Sequence, residues 1–389
     1  MKYNFDEEIN RIGTNSVKYE SSKDNEPELP EDSIPMWIAD MDFACPPEVI
    51  EAVHKRLDER ILGYSDVLED SYFEILEQWM MNRFGWKINK EELCISAGVV
   101  PAISALVQIL SKKGERILIT TPSYQPFYNV IVQNERIPVY SKLKNENGKF
   151  VLDFEDIKEK MEKEDIKVFI FCNPHNPTGR VWEERELRKV AELCMQNSVW
   201  LICDEIHQDL LRKNKIHIPM SKLYPEEKWI FTCTAPSKTF NMAGNHMANI
   251  FIPNEEIRNK WEEKFYYLPN PLSITATKTA YEKCGKWVDE LNAYLDDNFL
   301  LVKAYLQEHL PKIDFHISEG TYLAWVDMSG LNLSLEEIKC KFIKEAGLHI
   351  ETGDMFVENA ESYIRMNLAC PRSVLLRALE RMYKVFKNI

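Results

Sequence analysis

The sequence has no clustered thiols or imidazoles. Its nine cysteines stand singly, with no Cys-x-x-Cys pair, and its eight histidines form no His-x-x-x-His pair. Zinc sites normally need such spacings, and an odd number of scattered cysteines does not suit a disulfide framework, so we expect neither a metal site nor a disulfide scaffold. Scattered cysteines in odd number are typical of reduced thiols in a cytosol.

Negative charge exceeds positive charge, and long apolar runs are scarce. The formal net charge is -14, whereas nucleic acids and anionic membranes are bound by clustered Lys and Arg. Apolar runs such as 168–172 are far too short to cross a bilayer. Residues 1–8 carry charges where a signal peptide has an apolar segment. We therefore expect a cytoplasmic protein with no nucleic-acid partner and no membrane association.

The chain is long enough for two domains. At 389 residues, of which 45% are apolar, it exceeds the size at which one core usually stops growing. From residue 46 onwards, β-favouring runs alternate with helical patterns, which predicts an α/β fold with a mostly parallel sheet. We expect an irregular arm at 1–45, a large domain at 46–285 and a smaller α+β domain at 286–389. A long helix near 282–299 is expected to join the two domains.

Ligands of such folds bind at the carboxyl ends of the strands. The predicted strands include 93–96, 116–120, 137–140, 168–171 and 199–202, and the predicted helices include 101–110, 184–196, 334–346 and 371–386. The stretches with chemical character come just after strands of this set, which predicts that they share one crevice.

One short stretch indicates covalent chemistry. Lys238 lies between Ser237 and Thr239, shortly after the apolar run 229–231. A lysine amine in such a place can bond covalently to a carbonyl group. A solvated surface lysine is the ordinary alternative for an isolated Ser-Lys pair, so other stretches have to decide between the two.

Two upstream stretches, in the same chain order, resemble one family. Asn-Pro-His-Asn-Pro-Thr-Gly at 173–179 and Cys-Asp-Glu-Ile-His-Gln-Asp at 203–209 resemble the signature of fold-type I pyridoxal-phosphate (PLP) enzymes, the aspartate aminotransferase superfamily. Segments at 37–43, 63–64, 121–124 and 365–367 extend the resemblance almost from end to end. The likeness is closer still to the MalY/PatB-like C-S lyases, a cystathionine β-lyase branch. It implies the PLP-dependent transferase fold, with pyridoxal 5'-phosphate as the cofactor.

The resemblance implies roles for residues around the cofactor ring. Lys238 matches the lysine that binds the cofactor covalently and, once released, removes the substrate's Cα proton. Asp204 matches the carboxylate that keeps the pyridine nitrogen protonated. Asn176 matches the asparagine beside the phenolic oxygen and the substrate, and Tyr124 matches the aromatic ring that stacks on the pyridine. Outside this context, the same residues are common as turn caps, turn formers and core aromatics.

Other residues are expected to hold the phosphate. Gly98, Val99 and Val100 lie at a strand-to-helix junction whose free N–H groups suit an anion, and Ser237 would add a hydroxyl group. Tyr64 resembles the tyrosine that reaches the phosphate from the neighbouring subunit. The resemblance thus implies a homodimer with shared active sites.

The substrate is expected to meet Arg365 and Ala39. Arg365 matches the arginine that binds the α-carboxylate, a task for which a guanidinium fork is better suited than an ammonium group. Ala39 lies in the 37–43 turn that the resemblance places beside the substrate. Arg372 could be a surface ion-pair residue and receives no role. The loop 351–361 has less glycine than the branch leads us to expect, which leaves its path near the pocket open.

Two positions depart from the wider superfamily. His246 lies eight residues after Lys238, where many relatives have an arginine that binds the phosphate, and the sequence indicates no substitute. His207 lies three residues after Asp204, where aminotransferases usually have a tyrosine. The Asp-Glu-Ile-His spelling is typical of the C-S lyase branch. We predict that His207 contacts the cofactor, with a core histidine as the alternative.

The resemblance implies β-elimination as the reaction. A cysteine S-conjugate such as cystathionine would yield a thiol, pyruvate and ammonia. The same residues would also support transamination of an L-amino acid, so an aminotransferase remains the alternative within this fold. A regulatory binding protein that keeps the cofactor only for stability is a third hypothesis, which the intact Lys238, Asp204, Asn176 and Arg365 set disfavours.

Overall fold

The computed structural model describes residues 2–67 and 69–389. The strands are β1 Ile34–Pro35, β2 Leu93–Ser96, β3 Arg116–Thr121, β4 Ser123–Tyr124, β5 Ile137–Lys142, β6 Lys144–Glu146, β7 Lys149–Val151, β8 Ile166–Cys172, β9 Trp200–Asp204, β10 Ile230–Thr234, β11 Ala248–Phe251, β12 Asp314–Phe315, β13 Leu323–Asp327, β14 Leu348–His349, β15 Glu351–Thr352, β16 Phe356–Val357 and β17 Tyr363–Asn367. The α-helices are α1 Val17–Asn25, α2 Pro47–Asp58, α3 Asp70–Phe84, α4 Val99–Leu110, α5 Gln125–Gln133, α6 Phe154–Lys163, α7 Glu184–Gln196, α8 Met220–Leu223, α9 Pro236–Thr239, α10 Glu255–Phe265, α11 Pro271–Lys283, α12 Gly285–His309, α13 Leu335–Cys340 and α14 Arg372–Phe386. A π-helical segment, Lys341–Ala346, follows α13 directly.

Seven strands form the central sheet, in the order β2-β11-β10-β9-β8-β3-β5. The five strands from β10 to β5 run parallel, whereas β11 is antiparallel to both of its neighbours. Every residue of β2 and of β10 is buried, as expected for strands covered on both faces. The predicted α/β architecture with a mostly parallel sheet is confirmed.

Alternate residues of one strand enter different cores. In β8, Val168 and Ile170 pack with α4 and α10, whereas Phe169 and Phe171 pack with α6 and α7. Successive side chains of a strand point to opposite faces of the sheet, so one apolar run fills two cores. The strand is therefore held from both sides, which fixes the position of the loop that follows it.

A second sheet of four strands has the order β12-β13-β17-β15 and is antiparallel throughout. Helix α12 connects the core of this four-stranded sheet with the core near α3 and α11. Trp287 and Leu291 of α12 pack in the latter core, whereas Phe299 and Val302 pack with the four-stranded sheet. A helix that joins two cores agrees with the sequence, but the division at residues 45 and 285 stays a prediction.

Two predicted elements differ from the structure. The arm that was expected to be irregular contains α1, whose Lys18 and Ser22 are buried against other parts of the chain. The long helix expected near 282–299 is two helices, because α11 ends at Lys283 and α12 begins at Gly285. Cys284 between them caps α11 by donating its N–H to Ala280 O. The apolar pattern continues through this break and therefore conceals it.

The loops that follow the central strands meet at one edge of the sheet, because parallel strands end on the same side. Four of the predicted motifs lie there, after β2, β8, β9 and β10. Arg365 comes instead from β17 of the four-stranded sheet. Within the residues that the structure describes, no helix is both long and apolar enough to span a membrane.

Candidate active site

A cavity of about 440 Å³ lies at this edge of the sheet. The predicted residues in its wall are Ala39, Gly98, Val99, Val100, Tyr124, Asn176, Asp204, His207, Ser237 and Lys238. The volume is within the range of about 300–1,000 Å³ that is typical of small-molecule sites. The structure thus brings together ten residues that the sequence had placed in one crevice.

Lys238 lies in the one-turn helix α9, directly after β10. Its Nζ donates a hydrogen bond to Ala39 O at 2.7 Å. Burial lowers the pKa of the amine to about 8, against the opposing attraction of Asp40 and Asp204. A sizeable fraction of the amine is therefore neutral near neutral pH, and only a neutral amine can attack a carbonyl group or accept a proton.

Asp204 ends β9 and is buried. Its Oδ1 accepts a hydrogen bond from Ile206 N at 3.0 Å. Burial raises the pKa of the carboxyl to about 7, although the Ile206 amide and Lys238 act in the opposite direction. A cation placed beside this carboxyl group would lower its raised pKa and so ionise it. The site therefore fits a protonated ring nitrogen.

Asn176 and Arg365 are joined to each other. Arg365 Nη1 donates to Asn176 Oδ1 at 2.8 Å, and Nη2 donates to Trp37 O at 3.3 Å. The guanidinium also forms an ion pair with Glu351. Arg365 therefore reaches the cavity wall through Asn176, but its donors are already partly engaged.

The expected phosphate cup lies at the N-terminus of α4. The first amide within the helix to donate is that of Ala102, to Gly98 O, because the first amides of a helix have no acceptor inside it. Gly98, Val99 and Val100 border the cavity, together with Ser237 from α9. The start of α4 thus brings free N–H groups, and α9 brings a hydroxyl, to the same cavity, which fits a phosphate.

Two aromatic rings complete the wall. Tyr124 packs edge-on against Phe127, with ring centroids 5.7 Å apart, and burial raises the pKa of its phenol. Burial lowers the pKa of His207 to about 3, so the imidazole is neutral. His207 Nδ1 is buried without a hydrogen-bond partner, so the hydrogen-bonding capacity of this atom is unused within the chain. The ring-stacking role of Tyr124 and the ligand role of His207 stay predictions.

His246 and Tyr64 differ in their position relative to the cavity. His246 is in the cavity wall, with a left-handed backbone (φ 48°), so an imidazole lies where many relatives have the phosphate-binding arginine. Tyr64 is 98% exposed and is not part of the cavity wall of its own chain. Its expected role in the site of a second subunit stays a prediction.

Sequence reasoning missed the groups that hold the 37–43 turn in the site. The buried Lys18 ammonium pairs with Asp42 at 2.9 Å and donates to Asp40 O. Nearby, Arg11 pairs with Asp40 at 2.6 Å. These contacts fix the backbone on which Ala39 O accepts from Lys238. No local signal points to them, because the partners are far apart in the chain and belong to an arm that looked irregular.

The model of the family "Aminotransferase class I and II" matches residues 31–382. Cystathionine beta-lyase PatB of Bacillus subtilis (strain 168) is 36% identical over 384 residues, which cover 97% of this chain and 98% of the relative. Protein MalY of Escherichia coli (strain K12) is 30% identical over 363 residues, which cover 92% and 93%.

The comparison with solved structures agrees. A PLP-bound C-S lyase from Staphylococcus hominis matches with a TM-score of 0.95 and 42% sequence identity, and the match covers 99% of this chain and 98% of that chain. The fold is therefore that of fold-type I PLP-dependent enzymes, as predicted. The chain belongs to the class I and II aminotransferase family, in its MalY/PatB-like C-S lyase branch.

Proposed function

We propose that this chain is a PLP-dependent C-S lyase that acts on cystathionine or a related L-cysteine thioether. The observation that carries the proposal is the shared cavity of Lys238, with an amine pKa of about 8, and Asp204, with a carboxyl pKa of about 7. The names of the PatB and S. hominis relatives, a cystathionine beta-lyase and a C-S lyase, support the same reaction.

The residues present fit pyridoxal 5'-phosphate. Lys238 would bind its aldehyde carbon, Asp204 would face its ring nitrogen and Tyr124 would cover its ring. Asn176 and His207 would border its phenolic oxygen. The phosphate would be held by Gly98, Val99, Val100 and Ser237. When bound, PLP withdraws electrons from the Cα atom of the amino acid.

The chain's own groups then act in sequence. Arg365 binds the α-carboxylate and orients the amino acid. Lys238 removes the Cα proton. Asp204 holds a proton at the ring nitrogen by charge pairing. The Cα–H and Cβ–S bonds break, the sulfur leaves as a thiolate that takes up a proton, and water converts the remaining fragment to pyruvate and ammonia.

The products test this proposal. The purified holoenzyme, incubated with cystathionine and no keto acid, is expected to release pyruvate, ammonia and thiol in equal amounts. An aminotransferase would instead need an added keto acid and would accumulate pyridoxamine phosphate without one. If pyridoxamine phosphate accumulated while no pyruvate formed, the lyase assignment would be wrong and transamination would replace it.

Replacing Arg365 with lysine is expected to raise KM for the amino acid by about 10- to 100-fold, with a smaller change in kcat. The reason is that lysine keeps the charge but loses the fork that binds a carboxylate by two hydrogen bonds. Initial rates over a substrate series provide the measurement. Arg372→Lys is the matched control, because Arg372 is 42% exposed and pairs with Asp297. An equal effect in both variants would argue against the assignment.

We further propose a homodimer in which Tyr64 completes the site of the partner. The segment around Tyr64 supports this, because Ile61, Leu62 and Tyr64 are 73%, 55% and 98% exposed. Apolar side chains that protrude together mark protein–protein contacts, and a second copy is the occupant to which the shared-site hypothesis points.

Subunit mixing tests the shared site. Lys238→Ala and Tyr64→Ala homodimers are each expected to have low activity, but a mixture that exchanges subunits should regain it. In a mixed dimer, one site carries both substitutions and the other carries neither, provided that Tyr64 acts across the interface. No recovery after demonstrated subunit exchange would place Tyr64 outside the partner's site.

We also propose that the protein works in the cytoplasm. All nine cysteines are free thiols, and seven of them are buried. Unpaired buried thiols suit a reducing compartment. Fractionation of cells that express the tagged full chain measures this directly, and recovery of the protein outside the cytoplasm would contradict the proposal.

A further inference from the structure

Glu351 and Arg365 face each other across two strands. Glu351 in β15 pairs in register with Arg365 in β17, and the two strands are antiparallel. Residues directly opposite each other in such a pair have their side chains on the same face. The two side chains form an ion pair and are 13% and 2% exposed. The register of the two strands therefore places the two side chains within reach of each other.

This ion pair occupies an N–H group of Arg365 that a bound amino acid would need for its α-carboxylate. Of the Arg365 nitrogens, Nη1 donates to Asn176 and Nη2 lies against Trp37 O and Glu351. Nε is buried and has no partner. A carboxylate is bound most strongly by two neighbouring N–H groups of the fork. The free Nε supplies one, and the other is the Nη2 that Glu351 occupies.

Two carboxylates would then meet at one guanidinium. The charged and titratable groups that act on Glu351 are Arg365, Lys238 and Tyr124. Burial raises the pKa of the Glu351 carboxyl, and Arg365 acts against this rise. A second carboxylate at the same site favours protonation of one of the two. The arriving amino acid therefore has to displace Glu351 or drive a proton onto it.

We propose that Glu351 is a specificity-determining residue that occupies the α-carboxylate position of Arg365 until a substrate displaces it. The proposal rests on the proposed function only in that Arg365 binds the amino acid, in elimination and transamination alike. Its consequence is a higher KM for a free α-carboxylate, and therefore a weaker preference for the acid over its amide. An amine or an amide of the same shape has no negative charge with which to compete for Nη2.

The test is Glu351→Gln in the holoenzyme, with S-methyl-L-cysteine and its carboxamide as substrates. The glutamine side chain keeps the shape but loses the charge, so KM for the free acid is expected to fall about tenfold, with kcat little changed. KM for the carboxamide should stay the same. The ratio of wild-type KM to variant KM for the acid should grow as pH rises, because ionised Glu351 is the competitor.

Glu361→Gln is the matched control, since Glu361 is an exposed carboxylate that precedes β17. It should leave KM and its pH dependence unchanged. Thermal unfolding of each variant shows whether it is folded, and Glu351→Asp provides a second variant, in which a shortened carboxylate should lower KM for the acid by a smaller factor.

Each possible result for Glu351→Gln has a different meaning. A higher KM for the acid in Glu351→Gln would show that Glu351 supports Arg365, and an unchanged KM would show no competition; either overturns the proposal. L-Alanine binding, followed by the visible absorbance of the holoenzyme, gives a readout that does not need elimination. Tighter L-alanine binding by Glu351→Gln in an enzyme that forms no pyruvate would contradict the proposed lyase function but support the Glu351 proposal.

Discussion

Replacing Lys238 with alanine is expected to lower the rate of pyruvate formation from cystathionine by roughly 10³-fold or more, because the chain loses its general base and its covalent attachment to the cofactor together. Lys238 is the group whose amine lies in the cavity with a pKa of about 8. A coupled assay for pyruvate measures the rate. Borohydride reduction followed by peptide mass analysis locates the trapped cofactor.

Two comparisons sharpen the Lys238 experiment. Lys189→Ala removes an exposed lysine of α7 and should change neither the rate nor the trapped peptide. A small primary amine added to Lys238→Ala should restore part of the rate, because it can replace the missing base. Retention of the wild-type rate, or trapping of the cofactor at another lysine, would remove Lys238 from the mechanism.

Replacing Asp204 with asparagine is expected to lower kcat by about 10²- to 10³-fold, because a neutral amide cannot hold a proton at the ring nitrogen by charge pairing. The side-chain shape is kept, so the loss reports the missing charge. Steady-state rates with cystathionine provide the measurement. Asp165→Asn, at a side chain that is 79% exposed, is the control and should leave kcat unchanged.

Stability provides an independent check on Asp204. In the cofactor-free protein, burial raises its pKa from 3.8 to about 7, so the folded chain retains a proton that the unfolded chain releases. The resulting loss of stability is absent below pH 3.8, develops as pH rises towards 7 and is complete above it. The asparagine variant should therefore unfold at a higher temperature than the wild type at about pH 8. A lower unfolding temperature under the same condition would mean that the activity loss reflects damage to the fold.

The residues at the strand ends could be predicted because their positions follow from local sequence and topology. Asp204 and Lys238 come directly after apolar strands, and parallel strands end at one edge of a sheet. Their chemical roles came from the resemblance, since a strand-end aspartate alone is equally a turn cap. Helix α7 was predicted with the bounds that the structure shows, because its apolar face follows a regular helical period and both ends are marked.

Other features depend on contacts that no local pattern records. The Glu351–Arg365 pair depends on the register of two antiparallel strands, which a shift by one residue would abolish. Helix α1 is stabilised by burial of Lys18 against the 37–42 backbone, so its own polar sequence did not predict it. The proposed role of Tyr64 would depend on a second chain, which one sequence does not describe. Each of these depends on the tertiary or quaternary arrangement rather than on neighbouring residues.

The two ends of an amino acid in this site would be held by separate sheets, with Arg365 on the four-stranded one and Lys238 after a strand of the seven-stranded one. Helix α12 is a structural tie between their cores. The group that would bind the α-carboxylate and the group that would move the proton are thus encoded in different stretches of the gene. Mutations in the codons that follow α12 would therefore change how the acid end of an amino acid is bound, while Lys238 and Asp204 are inherited unchanged.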